Sequence, residues 1–154
     1  MTSFRYAWIA LLLAGCGAAT TSPDVDLVPV TGTVALDGKP VANATVLFNP
    51  LQGTKGTGGY GVTDAEGKFT LKHRSEKEGC EAGEYGVTFT KITQPDGSPL
   101  PPNADRATVG MVEQIPAAYV QFDPNAVVEQ VKVAKPSTTV EFRLDSKKKV
   151  PIAR

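Results

Sequence analysis

The chain has 154 residues, with 16 Lys and Arg set against 16 Asp and Glu, a single His and two Cys. That length carries one domain of ordinary size, and the neutral balance excludes the strongly basic face by which nucleic-acid binders are recognised. Two cysteines are too few for the disulfide framework that staples many small secreted domains.

In chain order, residues 1–5 carry the amino terminus and Arg5, and the apolar run 6–13 follows, which is the pattern of a signal peptide. That run falls far short of the roughly 20 apolar residues that cross a bilayer as a helix. Leu13, Ala14 and Gly15 then precede Cys16, and the stretch resembles the bacterial lipobox: small residues leave the bond open to the peptidase, and the thiol is the nucleophile for alkylation. On that reading residues 1–15 are a lipoprotein signal peptide, Cys16 is acylated, and 16–28 form a lipidated, flexible tether reaching at most about 40 Å. More than one acyl chain on Cys16 makes the anchoring effectively permanent. A plain secretion signal cut near Ala18 or Ala19, with Cys16 discarded, is the alternative. Losing residues 1–15 removes one Arg and leaves a slightly acidic chain in which Cys80 has no disulfide partner.

From residue 29 to 145 the repeated signal is period-two alternation punctuated by Gly, Pro, Asn and Asp, with no helical periodicity. Val30, Val34 and Leu36 share one face of a first strand, and Asp37-Gly38 supplies a turn. Ala44, Val46 and Phe48 form a second strand that Asn49-Pro50 ends. Residues 60–63 and 69–73 flank Asp64-Ala65-Glu66-Gly67 as a hairpin whose glycine takes the left-handed position. Tyr85, Val87 and Phe89 make a fifth strand, and 127–133 and 139–144 the last two, with Val140, Phe142 and Leu144 facing inward. Seven strands over this length predict an all-β antiparallel sandwich.

Between the fifth and sixth strands, residues 93–125 hold six of the twelve prolines, among them Pro99, Pro101 and Pro102. No continuous strand or helix passes through such a segment, and a connection this long is uncommon inside a compact domain. The segment reads first as a packed crossover; the alternative is a partner-binding loop made of those three prolines and Tyr119. Residues 146–154 are a basic tail carrying Lys147, Lys148 and Lys149.

The runs 30–50 (VTGTVALDGKPVANATVLFNP), 61–71 (GVTDAEGKFTL) and 83–89 (GEYGVTF) resemble the carboxypeptidase regulatory-like domain. With Ile115-Pro-Ala-Ala-Tyr119, the chain is similar to the small lipoproteins of this kind found in planctomycete bacteria. The resemblance covers roughly 29–145 and implies a prealbumin or transthyretin-like seven-stranded Greek-key sandwich in the cell envelope, without implying an activity. Enzymes of similar architecture need several histidines, or two histidines and two tyrosines around iron, and neither set is assembled by one histidine.

Residues with chemical potential read mainly as structural. His73 falls at a strand end on the side of Phe69 and Leu71, and Ser75, two residues on, is expected to point to the opposite face, which argues against a Ser-His pair. Cys80 lies among acids that raise its pKa. One histidine and one free cysteine make no zinc set. Gly56, Gly58 and Gly61 match a dinucleotide fingerprint in spacing, but a strand rather than a helix follows, so they read as a flexible loop. Asp64, Glu66 and Gly67 lack the frame of a calcium loop.

The expectation is a non-catalytic structural or interaction module with no cofactor and no metal, held to the membrane by its anchor, exported, and meeting an envelope protein or a glycan but no nucleic acid. A carbohydrate-binding accessory protein is the alternative, supported by Tyr60, Tyr85 and Tyr119, and a hydrolase of unknown type comes last.

Overall fold

A computed structural model describes residues 25–101, 103 and 110–150. Leu13, Ala14, Gly15, Cys16 and Pro102 lie outside the described residues. The elements are β1 (Leu27–Val28), β2 (Val30–Leu36), β3 (Lys39–Pro40), β4 (Thr45–Pro50), β5 (Gly59–Val62), β6 (Lys68–Thr70), β7 (Lys72–His73), β8 (Cys80–Glu81), β9 (Gly83–Thr90), β10 (Ile92–Thr93), β11 (Val112–Glu113), α1 (Ala117–Val120), β12 (Glu129–Val133) and β13 (Thr138–Leu144).

The protein is all-β and sandwich-like. One sheet runs β12-β9-β4-β5-β7, and the other runs β13-β2-β3, with β6 also paired to β2. Because β13 occupies one whole edge of β2, β3 and β6 share the other. The alternation read from the sequence produces the core: Val34, Phe69, Phe142 and Leu144 from one sheet meet Val46, Phe48, Tyr85 and Phe89 from the other. Phe142 is the hub, its ring 4.9 Å from Phe89 and edge-on, 6.4 Å from Phe48, and stacked at 6.3 Å on Phe69. Such pairs add about 0.5–1.5 kcal/mol each beyond the area they bury.

Asp37 (φ 50) and Gly38 (φ 79) form the expected two-residue turn into β3. Gly67 takes φ 74, while Asp64 Oδ1 accepts the amides of Glu66 and Lys68.

The sequence expectation needs correction at four places. β13 runs parallel to β2 over seven residue pairs, so the body is not wholly antiparallel. The reason is that the 134–137 turn crosses between sheets instead of folding β13 back on β12. The strand expected over 69–73 is divided at fully buried Leu71: β6 pairs with β2, whereas β7 pairs with β5 in the opposite sheet. Asn49-Pro50 does end β4, with Pro50 opposite Tyr85 as the last rung of the ladder to β9. A single helical turn, α1, stands where no helical period was visible. Finally, Leu27 and Val28, assigned to the tether, form β1 against β8, and Val28 is 0% exposed, so the folded body begins before residue 29.

Candidate functional site

The crossover from β9 to β12 is built rather than merely threaded. Ile92 pairs with Glu113 and Thr93 with Val112, making a two-stranded arm. Glu113 Oε1 accepts the amides of Lys91 at 2.7 Å and Ile115 at 2.9 Å, which fastens the base of the arm to the body. Beyond Thr93, Asp96 Oδ1 takes both the amide and the hydroxyl of Ser98, and these bonds hold its carboxyl below the usual carboxylate range. Pro99 and Pro101 are exposed on this segment. Ile92, Met111 and Val112 are each 40% exposed or more, an apolar surface spread over both faces of the arm.

Tyr119 does not belong to that surface. It is 3% exposed, its ring meets Phe89 edge-on at 6.3 Å, and its hydroxyl accepts the Asp145 amide at 3.0 Å. The Ile115–Tyr119 motif plugs the end of the core, which removes Tyr119 from the expected partner-binding residues.

A cleft of about 780 Å³ lies against the outer face of the β6-β2-β13 sheet. Register places Thr70, Thr31 and Thr139 in one row across the three strands, and Lys68, Thr33 and Glu141 in the next. Asp64 and Val62 line its side, and the hydroxyls of Thr31 and Thr139 meet at 3.5 Å. The floor is hydroxyl-rich and close to neutral.

His73 sits at the centre of a polar network at the β1 end of the body. It is 7% exposed, and Nδ1 lies 2.9 Å from Ser75 Oγ. The expectation that Ser75 faces away from His73 is wrong: residues two apart along a strand share a face, and the turn after β7 keeps the hydroxyl against the ring. The Ser75 amide also reaches Nδ1, at 3.2 Å, and an amide only donates, so Nδ1 holds the lone pair and the ring proton is on Nε2. Nε2 reaches Thr57 Oγ1 at 2.8 Å and lies 3.4 Å from Glu81 Oε1. For nucleophilic catalysis this is poor geometry: two donors converge on one lone pair, and the carboxylate is farther than the threonine that takes the ring proton. The network does explain the glycine loop. Thr57 donates its amide to Glu81 and Thr54 exchanges two hydrogen bonds with Glu84, so residues 51–58 are pinned rather than flexible. A Cβ on Gly56 would lie 2.5 Å from the Tyr85 hydroxyl, which is why only glycine passes there.

Cys80 is fully buried opposite Val28, and burial pushes its thiol up to about 11, with the Glu81 charge a lesser cause and a Tyr85 hydrogen bond opposing. The flanking acids singled out in the sequence are therefore secondary to burial. Burial likewise lifts the Tyr85 hydroxyl above its ordinary value. Among the described residues no group of three or more His, Cys, Asp or Glu side chains is arranged to hold a metal ion, and no helix is long and apolar enough to cross a membrane.

Thr57 and Glu81 escaped the sequence reading because they lie 16 and 8 residues from His73, and only the switch of the chain between sheets at Leu71 brings them together. No protein-family model, curated protein or solved structure significantly matches the chain.

Proposed function

We propose that this protein is a lipid-anchored module of the bacterial cell envelope, fastened through Cys16, that binds a protein partner through the β10-β11 arm and catalyses no reaction. Its body then belongs with the transthyretin-like Greek-key sandwiches that the sequence resembles. The observation that carries the reading is the arm itself: Ile92, Met111 and Val112 are exposed on a two-stranded ribbon that pairs with neither main sheet.

Placement supports it. β1 pairs with β8, and β9 runs eight residues from β8 to the base of the arm, about 26 Å at the usual strand rise. An anchor ahead of β1 therefore attaches at the pole of the body opposite the arm.

Two experiments test this. Radiolabelled palmitate should enter the wild-type chain and not Cys16→Ser, and the variant should leave the membrane fraction. A photo-crosslinking residue at Val112 should capture one defined envelope protein in the native membrane, and the same group at Lys132 on β12 should not; an equal yield from both positions refutes the arm as the contact.

A further inference from the structure

The outer face of the five-stranded sheet carries a second ordered surface. Thr88, Leu47, Tyr60 and Lys72 stand in one row across β9, β4, β5 and β7. They point away from the core because their neighbours Val46 and Phe48 fill it. Leu47 is 43% exposed, and beside the row Leu47, Asn49, Thr57, Tyr60 and Arg74 line a cleft of about 380 Å³, a volume in the range of small-ligand sites.

The cleft is ordered before any ligand arrives. The Tyr60 hydroxyl donates to Glu76 Oε1 at 2.8 Å, which fixes the ring against the sheet. Glu76 sits at φ 63 in a turn closed by its amide on the His73 carbonyl and by the His73 amide on Lys77. Asn49 Nδ2 donates to Gly86 O and Thr88 Oγ1, both at 3.3 Å, and its Oδ1 accepts no hydrogen bond among the described residues. Neither Lys72 nor Arg74 has an ion-pair partner among the described residues.

We propose that this cleft binds an acidic saccharide, a pyranose bearing a carboxylate. The C–H face of the sugar lies on the Tyr60 ring and Leu47, which together give a flat apolar patch. The carboxylate pairs with the planar Arg74 guanidinium, which suits two parallel hydrogen bonds, and Lys72 adds a second positive charge from the next strand. Asn49 Oδ1 accepts a sugar hydroxyl. A neutral ligand would use the ring and engage neither cation.

The inference rests on the envelope reading for its source of acidic polymer, but its test does not. Calorimetric titration of the full chain in detergent, as wild type and as Cys16→Ser, uses an oligogalacturonate trimer and the fully methyl-esterified trimer. The acid should bind both chains, and the ester about tenfold or more weaker, the size expected for losing a charge-assisted hydrogen bond. Arg74→Gln, on an exposed side chain, should bring the acid to the level of the ester, and Tyr60→Phe should stay within about threefold of wild type because the ring remains. Equal binding of acid and ester, no binding of either, or an Arg74→Gln chain with wild-type affinity for the acid overturns the proposal. Any of these leaves the anchor and arm experiments unaffected.

Discussion

Asp145, the residue after β13, donates its backbone amide to the hydroxyl of Tyr119 in the single helical turn, at 3.0 Å across 26 residues of chain. Replacing Tyr119 by Phe keeps the ring against Phe89 and leaves a half-buried amide without its acceptor. The expected loss is about 1–3 kcal/mol in urea unfolding, with an unchanged m-value. A wild-type midpoint would show that solvent reaches the Asp145 amide.

Phe142 touches three other rings and is 3% exposed. Phe142→Ala removes the hub of the core from one sheet and should destabilise by about 3–5 kcal/mol. The same change at Phe122, 40% exposed on the 121–128 segment, should cost far less, and thermal melting of the two variants separates them.

Gly32 lies in β2, where a Cβ would stand 2.6 Å from both Val140 Cγ2 and the Val140 carbonyl and 2.8 Å from Phe69 Cε1. The backbone atom cannot withdraw without loosening the β2-β13 ladder. Gly32→Ala should therefore cost about 1–3 kcal/mol, the usual range for overpacking, whereas Gly53→Ala meets nothing within 4 Å and suffers only from its φ of 92.

Cys80 should resist thiol reagents in the folded chain. With its thiol at about 11, only about one part in a thousand is thiolate at pH 8, and the sulfur is closed off from solvent. In a Cys16→Ser chain, disulfide-exchange labelling at pH 8 should proceed only after urea is added. Labelling of the native chain at the rate of a free peptide thiol would place Cys80 at the surface.

Glu129 gives the stability a pH dependence of known sign. Burial raises its carboxyl above the ordinary 4.5, with Lys148 opposing, so the folded chain holds this proton more tightly than the unfolded one. Its contribution is then most favourable below 4.5 and declines as pH rises through the raised folded value. Glu129→Gln should melt higher than wild type at pH 7, and the two should converge in acid. A lower melting point for the variant at pH 7 contradicts this.

Much of the fold was readable from alternation. Val30 and Val34, Val46 and Phe48, and Tyr85, Val87 and Phe89 all face the core, because period two follows directly from strand geometry, and Gly67 marks its turn because only glycine takes that φ readily. What escaped depends on contacts between distant segments. The division at Leu71 needs the Val30 carbonyl and the Gly79 amide, which claim its backbone from opposite sides. Val28 reads as tether until Cys80 pairs with it. Tyr119 reads as loop because a tyrosine sealing a core and one displayed for a partner look alike in a proline-rich segment. The Tyr60 cleft needs the register of four strands, and no spacing along the chain reports that.

Because β2 and β13 advance in the same direction side by side, the chain enters that pair at one pole and leaves it at the other. Tension between an immobilised amino-terminal end and a load on the carboxyl-terminal tail would slide the two strands lengthwise, straining the rungs from Val30/Thr138 to Leu36/Leu144 together. A hairpin pulled at its open ends loses its rungs singly. On the proposed anchoring, the parallel pair therefore meets such a load in shear, where a hairpin would be peeled open.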